Sequence, residues 1–126
     1  MELIINSRKK ILVLDKNSRM SPVIDEIMYY GDFEIYTTFD ADDVLGKAVS
    51  IVPDLIVLDY LLLNDDCIAI CHDLKEENIL KDVPVIVITG YQSKKAFSKA
   101  YQCDALFVKP LDMDILASRI DMLMAS

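Results

Sequence analysis

The sequence predicts a doubly wound α/β domain of the (βα)5 type, five parallel strands alternating with five helices. Three observations carry that expectation. Short, nearly continuous runs of aliphatic and β-branched residues recur along the chain, as strands covered on both faces require. Segments with helical spacing of apolar residues lie between those runs. Regular alternation of the two, with right-handed crossovers, places helices on both faces of one sheet.

The first run, Lys10-Ile11-Leu12-Val13-Leu14-Asp15, ends in an acid, and Phe33-Glu34-Ile35-Tyr36-Thr37 is β-prone. Asp54-Leu55-Ile56-Val57-Leu58-Asp59 is a second apolar run ending in an acid. Val83-Pro84-Val85-Ile86-Val87-Ile88-Thr89 ends in a hydroxyl, and Ala105-Leu106-Phe107-Val108-Lys109 ends in a cation.

Five helical faces fill the gaps. Met20, Ile24, Ile27 and Met28 form the first, and Val44, Leu45, Ala48 and Ile51 the second. Ile68, Cys71 and Leu74 form the third, Phe97, Ala100 and Tyr101 the fourth, and Leu116, Ile120 and Leu123 the fifth. Ser18 or Ser21, Asp40, Ser93 and Asp112 are the expected N-caps of the first, second, fourth and fifth. Pro22 suits a first helical turn.

A length of 126 residues fits one domain, and 53% hydrophobic residues can build its core. Residues 1–8 read as a short leader and 9–126 as the folded domain. A net charge of −8 argues against a nucleic-acid surface. No basic amphipathic helix points to a membrane surface, and the longest apolar runs, Ile51 to Leu63 and Val83 to Ile88, are broken or too short to span one. Met1 to Lys10 lacks a signal-peptide core, so the expected location is cytoplasmic. An acidic surface suits a chain that meets other proteins.

Cys67, Cys71 and Cys103 are an odd set and suggest no disulfide framework. Cys67, Cys71 and His72 are close in sequence, but a closed zinc site normally needs four ligands. Buried or half-buried thiols beside an exposed histidine are the expectation.

Ligands of doubly wound sheets bind beyond the carboxyl ends of the strands. The informative residues are therefore Asp15, Asp59, Thr89 and Lys109. A carboxylate can take up a phosphoryl group as a nucleophile. A hydroxyl and an ammonium can hold phosphoryl oxygens, and acids nearby can hold Mg²⁺.

Over residues 9–125 the chain resembles the receiver domains of response regulators. The resemblance rests on Lys10 to Asp15, Pro53 to Asp59, Val83-Pro84 through Thr89-Gly90, and Phe107-Val108-Lys109-Pro110. It implies the flavodoxin-like strand order 2-1-3-4-5. It implies that Asp59 accepts a phosphoryl group from a histidine kinase or histidine phosphotransfer protein, with Thr89 and Lys109 contacting that group. The implied cofactor is Mg²⁺, held by Asp15, Asp59 and the backbone carbonyl of Leu61. It further implies a cis Lys109–Pro110 bond, a downstream protein target, and a homodimer through the fourth and fifth helices as one option. No enzyme activity is expected beyond self-phosphorylation from a donor.

The chain departs from the family pattern at several positions. Receivers usually close strand one with two adjacent acids, the second being the direct metal ligand; here Lys16 stands in that place. An ammonium about 4 Å from Asp59 would attract it by roughly 4 kcal/mol at an effective dielectric of 20. Weak Mg²⁺ binding and slow or absent phosphorylation are the expectation unless Lys16 swings into solvent. Leu63 and Cys67 replace the family's usual loop proline and glycine. Leu106 occupies the switch position that is usually aromatic, and Phe107 should point to the other face.

The resemblance therefore leaves two readings, a phosphorylation switch and a degenerate receiver that binds partners without phosphorylation. A flavodoxin-like enzyme or nucleotide binder is a third. It would need a phosphate-cradling loop, and Asp15-Lys16-Asn17-Ser18-Arg19 has no glycine.

Overall fold

Each apolar run becomes a strand, and the five strands pair in parallel in the order β2-β1-β3-β4-β5. They are β1 (Lys9–Asp15), β2 (Phe33–Thr38), β3 (Leu55–Tyr60), β4 (Val85–Thr89) and β5 (Ala105–Val108). The computed structural model describes residues 8–16, 20–60, 65–90 and 103–125, with the backbone alone for Ser21 and Asp65. Four helices lie among these residues: α1 (Ser21–Tyr30), α2 (Val44–Ile51), α3 (Asp65–Glu76) and α4 (Met113–Ala125). A 3-10 turn over Ala41–Asp43 leads into α2. The helix expected around Phe97 to Tyr101, with its cap Ser93, lies outside the described residues. The element α4 is the fifth of the expected helical segments.

Strand alternation sorts the core into two layers. Leu12, Leu14, Ile56, Leu58, Tyr60, Val85 and Val87 face Val44, Ala48, Cys67, Cys71 and Leu74 of α2 and α3. Ile11, Val13, Leu55, Val57, Ile86 and Ile88 face Met20, Ile27, Leu116 and Ile120, on the side of α1 and α4. All six residues of β3 are buried, as its central place in the sheet demands. Each aliphatic side chain buried in this way contributes about 1.5–3 kcal/mol.

Several details differ from the sequence reading. Met28 is exposed and Val23 packs instead, because the buried stripe of α1 runs through Met20, Val23, Ile24 and Ile27. In α3 the buried position is Cys67 rather than Ile68. The N-cap of α1 is Met20, which makes no side-chain capping bond, and Pro22 occupies the first turn. Asp40 caps the 3-10 turn rather than α2, accepting from the Asp42 backbone N–H. Asp112 caps α4 as expected, with Oδ1 accepting from the N–H groups of Asp114 and Ile115. Val83 and Pro84 precede β4, and β3 continues one residue past Asp59.

Two polar clamps tie the strands together at the base of the sheet. The Asp54 carboxylate accepts from the Lys10 N–H at 2.8 Å, and the Asp54 N–H donates to the Lys10 carbonyl. The Asp104 carboxylate accepts from the Val85 N–H at 2.7 Å and from Lys75 Nζ at 2.8 Å. Lys75 Nζ also donates to the Val83 carbonyl, joining α3 to the starts of β4 and β5. At the end of α2 Val52 adopts φ 50° and ψ 70°, a left-handed conformation that β-branched residues rarely take.

Candidate functional site

Asp15 and Asp59 are direct neighbours in the register of β1 and β3. Alternation turns both toward the α1 and α4 side, and both are buried. Asp15 Oδ1 accepts from the Met20 N–H at 3.2 Å, which fixes the carboxylate against the start of α1. Lys109 follows β5 directly, and its Nζ lies 3.2 Å from Asp59 Oδ1. Two acids and one ammonium therefore meet at one rim of the sheet.

Thr89 closes β4 and is fully buried. It is paired in register with Tyr60, one position beyond Asp59. Its carbonyl accepts from the Lys109 N–H at 2.8 Å, so the backbones carrying the hydroxyl and the ammonium are bonded directly. The Lys109–Pro110 peptide bond is cis. Lys109, Pro110, Leu111 and Met113 form one wall of an open groove of about 300 Å³, with Pro22, Val23 and Glu26 of α1 opposite.

Of the two placements open to Lys16, the structure shows the one turned away from Asp59. Its ammonium stands over the Tyr60 ring, 5.2 Å from the centroid. Lys16 lies in the turn just past β1, and its side chain reaches to the α2 and α3 side, where Tyr60 lies. A cation over a ring at an exposed position is worth about 0.5–1 kcal/mol. The cation paired with Asp59 is Lys109 instead. By sequence Tyr60 opens the loop after Asp59, where the apolar run ends; in the structure it is the last residue of β3. Burial pushes its hydroxyl pKa well up, and Oη has no hydrogen-bond partner among the described residues.

Leu106 packs with the α3-side core and Phe107 with the α1 and α4 side, so the two occupy opposite faces as expected. The Leu61 carbonyl and the Leu63 position lie outside the described residues. Cys67 and Cys71 are buried and His72 is exposed. Among the described residues, no group of three or more His, Cys, Asp and Glu side chains is placed to hold a metal ion. Two neighbouring carboxylates do fit Mg²⁺, which binds through one or two such groups together with phosphate oxygens.

Comparison with known proteins bears on this arrangement. Residues 11–121 match the family described as the response regulator receiver domain. The chain belongs to that family. The response regulator ArlR of Staphylococcus aureus is 27% identical over 113 residues, which are 88% of this chain and 50% of ArlR. The receiver thus spans about half the length of the curated relatives it matches. A CheY-like response regulator receiver domain protein from Methanospirillum hungatei superposes with a TM-score of 0.76 at 22% identity, covering 94% of this chain and 95% of its own. The receiver domain of a sensor histidine kinase from Pseudomonas aeruginosa, with a magnesium ion coordinated in its active site cleft, gives 0.79 at 17% identity, covering 95% of this chain and all of its own. Receiver domains are signalling modules rather than enzymes in general. No helix among the described residues is long and apolar enough to cross a membrane.

Proposed function

We propose that Asp59 accepts a phosphoryl group from a phosphohistidine of a kinase or phosphotransfer protein, and that the modified receiver signals by changed affinity for another protein. The supporting observation is the buried Asp59 carboxylate, beside Asp15 in register and 3.2 Å from the Lys109 ammonium.

In the transfer an Asp59 oxygen bonds to phosphorus as the phosphorus–nitrogen bond breaks, and the bonding pair stays on the donor imidazole. Lys109, paired with Asp59 at 3.2 Å, would neutralise charge that develops on the transferring oxygens. Asp59 is almost fully buried, so the side chains around it, Lys109 included, move to admit the donor. The groove that reaches Lys109 gives the donor an approach. Asp15 and Asp59 would hold Mg²⁺, with the Leu61 carbonyl as a further ligand. Bound Mg²⁺ neutralises phosphoryl oxygen charge. Lys16 supplies no carboxylate, so we propose that the ion is held weakly. Thr89 contacts the phosphoryl group after transfer, and Leu106 on β5, the strand that leads into Lys109, responds. The domain spans residues 9–126, works in the cytoplasm, and has a histidine kinase or phosphotransfer protein and a downstream protein as partners.

Intact mass after treatment with a small phosphodonor, with and without Mg²⁺, tests this reading. One added phosphoryl group that disappears in Asp59→Asn supports it. A gain that persists in Asp59→Asn defeats it. The second reading, a receiver acting without phosphorylation, draws on Lys16 at the place of a metal-binding acid. It predicts no mass gain under any of these conditions and unchanged partner binding by Asp59→Asn.

A further inference from the structure

On the opposite side of the sheet from Asp59, α2 and α3 leave a groove of about 290 Å³ between them. Its floor is aliphatic: Ala41 and Leu45 from the α2 side, Ala69 and Ile70 from α3. Its rim is acidic, with Asp42 on one wall and Asp66 and Asp73 on the other. The α3 wall follows i, i+3, i+4, i+7 spacing, so Asp66, Ala69, Ile70 and Asp73 share one helix face. The core-facing stripe of the same helix is Cys67, Cys71 and Leu74; Ile70 lies at its edge, partly buried against that core, while Asp66, Ala69 and Asp73 are exposed.

The three carboxylates are exposed, and no ion pair among the described residues uses them. Stabilisation of helix N-termini accounts for acids at Asp42 and Asp66, which open the 3-10 turn and α3. It does not account for Asp73, two turns further along. An apolar strip between acids of one sign repels anionic lipid and nucleic acid and matches a cationic amphipathic segment.

We infer that this groove binds a basic amphipathic segment of a protein partner. An aliphatic side chain of the partner seats on Leu45 and Ile70, and flanking lysines or arginines meet Asp42, Asp66 and Asp73. The inference is independent of phosphorylation at Asp59.

The test uses the full chain, ¹⁵N-labelled, titrated with a synthetic amphipathic peptide of leucines and lysines. Amide shifts concentrated in residues 41–46 and 66–73 support the groove. Asp42→Asn with Asp73→Asn is expected to weaken binding about tenfold, equivalent to about 1.4 kcal/mol. The pair Asp25→Asn with Asp121→Asn removes the same charge elsewhere and is expected to change binding less than about threefold. Ile70→Ser separates apolar seating from charge and is expected to weaken binding as well. Equal weakening by the two charge pairs overturns the inference, as do shifts spread over the surface. Groove amides that move on concentrating the protein without peptide also overturn it, because the occupant is then a second copy, through its Arg8 and Lys9 edge.

Discussion

Lys109 Nζ lies 3.2 Å from Asp59 Oδ1, with the carboxylate side chain 1% exposed and the lysine 28% exposed. Removing the cation leaves a buried charge without that compensation, beside a second acid. Loss of one partner of a fully buried pair costs about 3–5 kcal/mol, and the partial exposure of Lys109 reduces this to about 1–3 kcal/mol. Lys109→Met should lower urea stability by that amount. Adding Asp59→Asn should recover most of the loss. A double variant as unstable as Lys109→Met would show that packing, not charge, is responsible.

Lys16 sits over Tyr60 and supplies no carboxylate to the pair formed by Asp15 and Asp59. Lys16→Asp should tighten Mg²⁺ binding by about tenfold or more in a calorimetric titration, the equivalent of at least about 1.4 kcal/mol. Lys16→Ala should have a much smaller effect, because removing a distant cation adds no ligand. Equal gains from both would mean that the ammonium repels the ion and that ligand number matters little.

Val52 holds a left-handed backbone at the end of α2, with its N–H bonded to the Ala48 carbonyl. Glycine takes this conformation without the Cβ clash, which costs other residues about 1–2 kcal/mol. Part of that gain is offset by glycine's unfolded-state entropy. Val52→Gly should therefore raise stability by about 0.5–1 kcal/mol in chemical denaturation. Val52→Ala should gain far less.

The Asp104 carboxylate joins the Val85 N–H to Lys75 Nζ. Asp104→Ala should cost about 1–3 kcal/mol, since it strips a part-buried N–H of its acceptor as well as breaking an ion pair. Lys75→Met should cost less, because the Val85 N–H keeps its bond. Thermal melts of the two variants give the order.

Burial pushes the Cys103 thiol up to about 11 from its ordinary value of 9. The unfolded chain loses this proton at lower pH than the folded one. The contribution to stability is therefore complete below pH 9 and is lost as pH rises toward about 11. Stability of the wild type should fall more steeply over that window than stability of Cys103→Ala. Alkylation of Cys103 near neutral pH should be slow, because little thiolate is present.

The strands were legible because burial on both faces leaves a continuous apolar run, which Val57 and Val87 illustrate at the centre of the sheet. Asp15, Asp59 and Lys109 stood out as charged ends of such runs, and the structure brings those three together. Met28 misled because α1 carries more apolar residues than one face can bury, and spacing alone does not choose among them. The sequence leaves Lys16 open between the metal position and a swing away from it, because a long side chain in a turn past a strand has no periodic pattern to fix its direction. The groove between α2 and α3 was invisible because it needs Asp42 and Asp73 on facing walls, and only tertiary packing brings them there. Val52 runs against the glycine rule for helix ends, so no local signal marks it.

The doubled bond between Lys10 and Asp54 lies five residues back along each strand from Asp15 and Asp59. A slip of one position between β1 and β3 would part Asp59 from Asp15 and set it opposite Leu14 or Lys16. Which two carboxylates become neighbours at the rim is thus decided at the far end of the sheet. Asp54→Ala would be felt as a change in alignment well away from the residue removed.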